Sequence, residues 1–393
     1  MAQPYSARSR AIEPFHVMAL LARANELQAA GHDVIHLEIG EPDFTTAEPI
    51  IQAGQAALAN GKTRYTAARG LPELREAISG FYQQRYGLNV DPERILITPG
   101  GSGALLLASS LLVDPGKHWL LADPGYPCNR HFLRLVEGAA QLVPVGPEVR
   151  YQLTADLVAK HWNQDSVGAL VASPANPTGT ILTRDELAGL SAAIKARNGH
   201  LVVDEIYHGL TYGTDAASVL EVDDEAFVLN SFSKYFGMTG WRLGWLVAPP
   251  AAVGELEKLA QNLYISAPSM AQHAALACFT PQTLSILEER RAEFAVVVTS
   301  CCLPCASWGL ASPSSRKGRS ICMPISARSA VMPSHSVVTS SKPSMWPLPL
   351  AWILAASKPV IMCALPTRKT SIACRRRWSE SPVACGAGKA DAL

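Results

Sequence analysis

Lys234 stands in the run NSFSKYFGMTGWRLGW (230–245), among hydroxyls, glycines and aromatic rings. Burying an ammonium is costly, so a lysine in such an apolar run is a candidate for a lowered pKa and for attack on a carbonyl as a free amine. Arg242 follows eight residues later, and its planar fork suits a phosphate. Asp204 closes the apolar run LVVD, where a carboxylate could hold a metal, a ribose or a protonated heterocycle. No set of His, Cys and Asp at metal-ligand spacing surrounds it, which disfavours the metal. The string PGGSG (99–103) would let the backbone approach an anion and offer free amides at a helix start. It lacks the third glycine of a dinucleotide fingerprint and the Lys-Ser/Thr of a nucleotide loop. Taken singly, each feature also has an ordinary reading: a solvated lysine, a surface arginine, a helix cap, a tight turn.

Regular elements must bring these residues together, and the pattern supplies them. Helical apolar spacing runs over 17–30 and over 71–86, the latter with Pro72 in its first turn. VIHLEIG (34–40) reads as a short strand, and RILIT (94–98) as a strand followed by PGGSG and a helix over 104–112. HWLLADPGYP (118–127) and GALVASPANPTG (168–179) each read as strand then turn. A helix over 182–199 starts at Thr183 with Glu186 three residues on, a capping box. HLVVDEIY (200–207) and AFVLNSFSK (226–234) read as buried strands. Strands alternating with helices predict an α/β fold, a mostly parallel sheet covered on both faces in three α/β/α layers. In such sheets ligands bind beyond the carboxyl ends of the strands, where the candidate strings fall.

The chain has 393 residues, 48% hydrophobic and 17% charged, enough for a large core and against a disordered chain. No run of about 20 apolar residues suggests a membrane span. The opening MAQPYSARSRAIEPF has no apolar leader segment, which gives the expectation of a cytoplasmic protein. The net charge of +1 hides a division. Residues 1–295 hold 22 Lys and Arg against 31 Asp and Glu, while residues 296–393 hold 12 against 2. Seven of the nine cysteines lie in that second part, which has no Phe, Tyr or Asn at all. A single globular protein rarely changes vocabulary so sharply.

The strings GEPDF (40–44), RYTAARG (64–70), GGSGAL (100–105), DPGYP (123–127), SPANPTG (173–179), VVDEIY (202–207) and SFSKYFGMTGWRLGW (231–245) occur in this order. Together they resemble the class I/II aminotransferases, fold type I enzymes dependent on pyridoxal 5′-phosphate, over about residues 12–295. The resemblance implies that Lys234 holds the cofactor's aldehyde covalently and later moves the proton. It implies that Asp204 pairs with the pyridine N–H, that Tyr207 and Asn176 bond the phenolic oxygen, and that Tyr126 stacks on the ring. Gly101, Ser102, Gly103, Ser231, Ser233 and Arg242 would hold the phosphate. Gly40 and Asn176 would meet the substrate, Gly40 through its backbone at the α-carboxylate. Tyr65 would reach the phosphate of a neighbouring subunit, which implies a homodimer.

The implied activity is transfer of an amino group from an L-amino acid to a 2-oxo acid such as 2-oxoglutarate. A cofactor-dependent C–S β-lyase shares every quoted string. A ligand-sensing domain of a transcription regulator is more remote, because no basic helix-turn-helix segment precedes the body; no nucleic-acid or membrane partner is expected. Aspartate is a common donor for relatives with GEPDF and GWR, yet several dicarboxylate-specific relatives carry Lys where Ser102 stands. Alanine, aromatic and branched donors stay open. The implied organisation is an N-terminal arm with part of a small α+β domain (1–45), a large cofactor-binding domain (46–285) and the start of the rest of the small domain (286–295).

The family's C-terminal features are missing from residues 296–393. VVVTSCCLPCASWGLASPSSRKGRS shows no helical or strand period, and Cys302 and Cys305 have no second pair to complete a metal site. The segment reads as an out-of-frame translation. Shifting the frame by one base permits a hidden text with helix, then GAFYLY, then an Arg within HVRFAY whose codon straddles Cys363 and Ala364. The single-codon residues Trp308, Met323, Met332, Met345, Trp346, Trp352, Met362 and Trp378 all fit that text. The break falls close to Ala295.

Overall fold

A computed structural model gives the fold of residues 5–34, 36 and 40–307. Among the described residues the strands are β1 (Ile95–Thr98), β2 (His118–Asp123), β3 (Ala139–Pro144), β4 (Ser166–Ala172), β5 (His200–Asp204), β6 (Phe227–Ser231) and β7 (Gly244–Val247). They form one sheet in the order β1-β7-β6-β5-β4-β2-β3. The pairs from β3 through β2, β4 and β5 to β6 are parallel, and β7 runs antiparallel to both β6 and β1. The unbroken apolar runs ILI and LVV suit strands that are covered on both faces.

Helices α1 (Ala7–Ala11), α2 (His16–Ala29), α3 (Glu48–Ala59), α4 (Pro72–Tyr86) and α5 (Gly100–Leu112) come first. They are followed by α6 (Asn129–Leu135), α7 (Ala155–His161), α8 (Arg184–Lys195), α9 (Pro250–Leu263), α10 (Ser269–Ala275) and α11 (Pro281–Ser307). Alternation along the strands divides the core in two. Ile95, Ile97, Leu201 and Val203 pack with Leu74 and Ile78 of α4 and Leu187 and Leu190 of α8. Leu96, Val202 and Leu246 pack on the other face with Leu105 and Leu107 of α5 and Leu256 of α9. The expected three-layer α/β/α arrangement is therefore present. The expected capping box is formed too: the Glu186 amide donates to Thr183 Oγ1 at 3.3 Å, and the Thr183 amide donates to Glu186 Oε2 at 2.8 Å.

Three expectations need comment. The strand over 34–40 falls largely outside the described residues, and Val34, His36 and Gly40 carry no strand structure. The helix placed at 104–112 begins earlier, at Gly100, so the glycine string is its first turn rather than a separate loop. Residues 296–307, read as lacking helical period, continue α11 without a break as far as Ser307. Adding a residue to an existing helix costs far less than starting one. Phe294 and Val298 also anchor it, packing with Tyr207 and Tyr212 while Phe294 meets Phe44 edge-on at 5.2 Å. The remainder of the out-of-frame reading, residues 308–393, lies outside the described residues. No helix among the described residues is long and apolar enough to cross a membrane.

The antiparallel β7 matters for position. Gly244 at its start pairs with Thr98 at the end of β1 and with Ser231 at the end of β6. The segments after β1, β4, β5 and β6 therefore emerge at one edge of the sheet.

Candidate active site

A cavity of about 430 Å³ opens at that edge. Gly40, Gly101, Ser102, Tyr126, Asn176, Asp204, Tyr207, Ser231, Ser233, Lys234 and Arg242 all line it. Two expected residues do not. Gly103 lies within the first turns of α5, where an added Cβ would come within 2.8 Å of Pro99 Cδ. Tyr65 is 78% exposed and outside the cavity of this chain.

One wall has the donors that could hold an anion. The first turn of α5 has no side-chain cap, so its leading amides are free of an internal partner there. A helix N-terminus carries partial positive charge and donors that suit a phosphate. Arg242 adopts a left-handed backbone (φ +53°) and lays its guanidinium against Gly100, where an added Cβ would sit 2.6 Å from Arg242 Nη2. Gly244 serves the same close approach: its Cβ would lie 2.7 Å from the carbonyl carbon of Gly100 and 2.8 Å from the Gly101 nitrogen. Ser231 Oγ donates to Ser233 Oγ at 3.0 Å and accepts from the Ser233 amide at 3.1 Å, which fixes both hydroxyls beside the arginine.

Lys234 sits on the segment between β6 and β7, and its Nζ donates to the Gly40 carbonyl at 2.5 Å. Its ammonium lies 5.6 Å from the centre of the Tyr207 ring. Burial lowers the Lys234 pKa; the charges of Glu41 and Asp204 oppose that, and Arg242 adds to it. Asp204 ends β5 and accepts from the Ile206 amide at 3.0 Å. Burial raises its pKa to about 6, against the lowering effects of that amide and of Lys234. The carboxylate faces the cavity, so water reaches part of it, while protein encloses its other sides. Tyr207 is pushed upward by burial and by Asp204, and is held in the other direction by a hydrogen bond with Asn176. Burial raises Tyr126 as well, and its ring meets Phe15 edge-on at 6.2 Å.

Several lining residues escape the sequence reading. Phe15, Val17 and Met18 border the cavity from the start of α2, and Leu105 and Phe132 border it from α5 and α6. Their apolar character marks helix faces as readily as a pocket wall. Glu41 follows Gly40 in GEPDF and was not singled out either; its carboxylate accepts a hydrogen bond from the Thr239 hydroxyl.

In chemical terms the cavity combines an amine of lowered basicity, a carboxylate that lacks a full counter-charge, and an anion cradle. The family described as aminotransferase class I and II matches residues 32–318. The chain is similar to a valine–pyruvate aminotransferase of Mycobacterium tuberculosis, 39% identical over 287 residues that make up 72% of this chain and 74% of that one. It is 33% identical to an aspartate/prephenate aminotransferase of Thermus thermophilus, over 71% of this chain and 73% of the relative. Among solved structures, an aminotransferase from Mycobacterium tuberculosis superposes with a TM-score of 0.75 at 37% identity, covering 78% of this chain and 79% of that one.

Proposed function

Because the chain belongs to the class I and II aminotransferase family, we propose that it moves an amino group from an L-amino acid to a 2-oxo acid such as 2-oxoglutarate, using pyridoxal phosphate. The observation that carries this reading is the meeting of Lys234, Asp204 and the Arg242–α5 anion cradle in one cavity. The residues fit the cofactor. The raised pKa of Asp204 is the mark of a buried carboxylate short of positive charge, and a protonated ring nitrogen supplies that charge. Gly100 and Gly244 let the Arg242 guanidinium and the start of α5 approach closely, which gathers that cation and the helix's leading amides into one anion cradle.

Pyridoxal phosphate, when bound, supplies an aldehyde for the amino group and a ring that stores an electron pair. The chain's own residues do the rest. Arg242, Ser231, Ser233 and the amides of Gly101 and Ser102 hold the phosphate. Tyr207 and Asn176 orient the phenolic oxygen, and Tyr126 covers the ring face. Asp204 keeps the ring nitrogen protonated. Burial reduces the basicity of Lys234, and its Nζ would take a proton at one carbon and return it at another. The Gly40 backbone, already within reach of Nζ, borders the place of the substrate carboxylate.

The same reading takes the protein as a cytoplasmic homodimer in which Tyr65 reaches the partner's phosphate; its 78% exposure on this chain supports that. It divides the chain into 1–45, 46–285 and 286–295, and treats 296–393 as out of frame. The test is direct. The full chain is incubated with pyridoxal phosphate, reduced with borohydride and mapped by mass spectrometry. Label on the Lys234 peptide, and loss of the visible band on adding an amino acid with recovery on adding a 2-oxo acid, are expected. No label there overturns the assignment; release of thiol and ammonia from cystathionine instead of oxo-acid exchange makes the protein a lyase.

A further inference from the structure

We infer that Gln152 is a positioning residue of this reaction: its side-chain amide fixes the loop that carries Asn176, and through it the hydrogen bond offered to the cofactor's phenolic oxygen; this rests on the aminotransferase reading above. Asn176 lines the cavity and hydrogen-bonds Tyr207. It stands on the connection from β4 to α8, between Ala172 and Arg184. That connection turns back on itself: the Ala175 amide donates to the Thr180 carbonyl at 2.9 Å, and the Gly179 amide to the Ala175 carbonyl at 2.7 Å. Its first residue is tied to the neighbouring strand, where the Ser173 amide donates to the Asp204 carbonyl at 3.1 Å.

Gln152 comes from a separate segment, between β3 and α7, and closes the loop at its base. Its Nε2 donates to the Ala172 carbonyl at 3.1 Å, to the Thr180 carbonyl at 3.0 Å and to Thr180 Oγ1 at 3.1 Å. One buried amide thus spans the end of β4, where Ala172 is the register partner of Asp204, and the returning arm of the loop. Thr180 Oγ1 lies 3.0 Å from Thr178 Oγ1, which carries the contact further towards Asn176. A buried amide is a costly way to fill space, and a hydrocarbon of the same shape would fill it without needing acceptors. The turn before Gln152 adds to that cost. Arg150 and Tyr151 both hold a left-handed backbone, φ +54° and +56°, which side chains with a Cβ rarely adopt. The Tyr151 amide donates to the Gly146 carbonyl at 2.8 Å and Arg150 pairs with Glu186 at the start of α8, so the strained turn is pinned where the loop ends. Strain and a buried amide that converge on one loop mark a geometry held for the site rather than for the fold.

The experiment uses the full chain loaded with pyridoxal phosphate, unaltered and as Gln152→Leu, Thr180→Val, Asn176→Ala and each of the first two combined with Asn176→Ala. The readout is the pH midpoint at which the visible band of the bound cofactor changes form, with melting temperature measured on the same samples. A donor to the phenolic oxygen favours its charged form, so weakening the Asn176 contact moves the midpoint up. Gln152→Leu is expected to raise it by about half a unit to one unit, roughly a three- to tenfold change in the equilibrium. Thr180→Val keeps the carbonyl and removes the Oγ1 contact, and is expected to raise the midpoint by less. Combined with Asn176→Ala, neither variant adds to the shift that Asn176→Ala gives alone. A midpoint that does not rise in Gln152→Leu, whatever its melting temperature, overturns the inference and leaves the aminotransferase reading intact. So does a shift that adds in full to that of Asn176→Ala. If Gln152→Leu does not fold, Thr180→Val decides by the same comparisons. Failure of borohydride to label Lys234 in the unaltered chain overturns the aminotransferase reading, and this inference with it.

Discussion

Asp204→Asn separates what the carboxylate does for the reaction from what it costs the fold. Burial raises the Asp204 pKa to about 6 in the cofactor-free chain. An unperturbed aspartate titrates about two units lower, so the folded protein holds a proton that the unfolded chain has already lost. A group with a raised folded pKa contributes nothing adverse at low pH. It costs stability progressively as pH rises from about 4 to about 6, and the full cost persists above. Two units correspond to about 3 kcal/mol, an upper figure because water in the cavity screens the charge. About 2 kcal/mol of this develops between about pH 4.5 and about pH 7.5. Asparagine keeps the oxygen that accepts from Ile206 and removes the titration. Relative to the unaltered protein, the variant should gain stability by about 2 kcal/mol across that interval, or about 5 °C in melting temperature for a domain of this size. Differential scanning fluorimetry of the cofactor-free proteins at several pH values reads the difference. Activity should fall at least about 100-fold, since the ring nitrogen loses its counter-charge. A stability difference that does not vary with pH would refute the claim that Asp204 is a buried charge awaiting a cation.

Gly244→Ala should lower stability by about 1–3 kcal/mol in urea denaturation, and should weaken pyridoxal phosphate binding measured by absorbance titration, because its Cβ meets the backbone of Gly100 and Gly101. Thr183→Ala removes the cap of α8 and should cost about 1 kcal/mol in the same denaturation assay, with cofactor binding unaltered. Sequencing the gene across the codons for Phe294 to Cys302 should reveal a one-base change of frame; an unchanged frame there rules out the out-of-frame reading.

The strands and the main helices were legible because each carries its own signal: ILI and LVV are apolar throughout, and the Thr183–Glu186 box marks a helix start without tertiary help. The set that meets in the cavity was legible only in combination: taken singly Lys234, Asp204 and Arg242 each have an ordinary reading, and the ordered strings around them carry the resemblance. The pocket wall from the start of α2 was not, because Phe15 and Met18 look like any helix face until the fold carries Phe15 to Tyr126 and Met18 to the cavity. The exclusion of Gly103 from the cavity was equally hidden, since direction along a first helical turn is not encoded in the letters GGSG. The extension of α11 through Ser307 was missed because the packing of Phe294 and Val298 outweighs a weak local period.

The segment from Phe232 to Leu243 is closed on itself. The Phe232 amide donates to the Leu243 carbonyl at 3.1 Å, and the Met238 amide donates to the Phe232 carbonyl at 3.0 Å. Both of its ends are continuous with ladders in the middle of the sheet. It is thus a hoop riveted at its base rather than a hinged flap. Lengthening or shortening it by one residue would displace the amine and the guanidinium together. Among the connections between the strands, this largely buried one should tolerate neither insertion nor deletion.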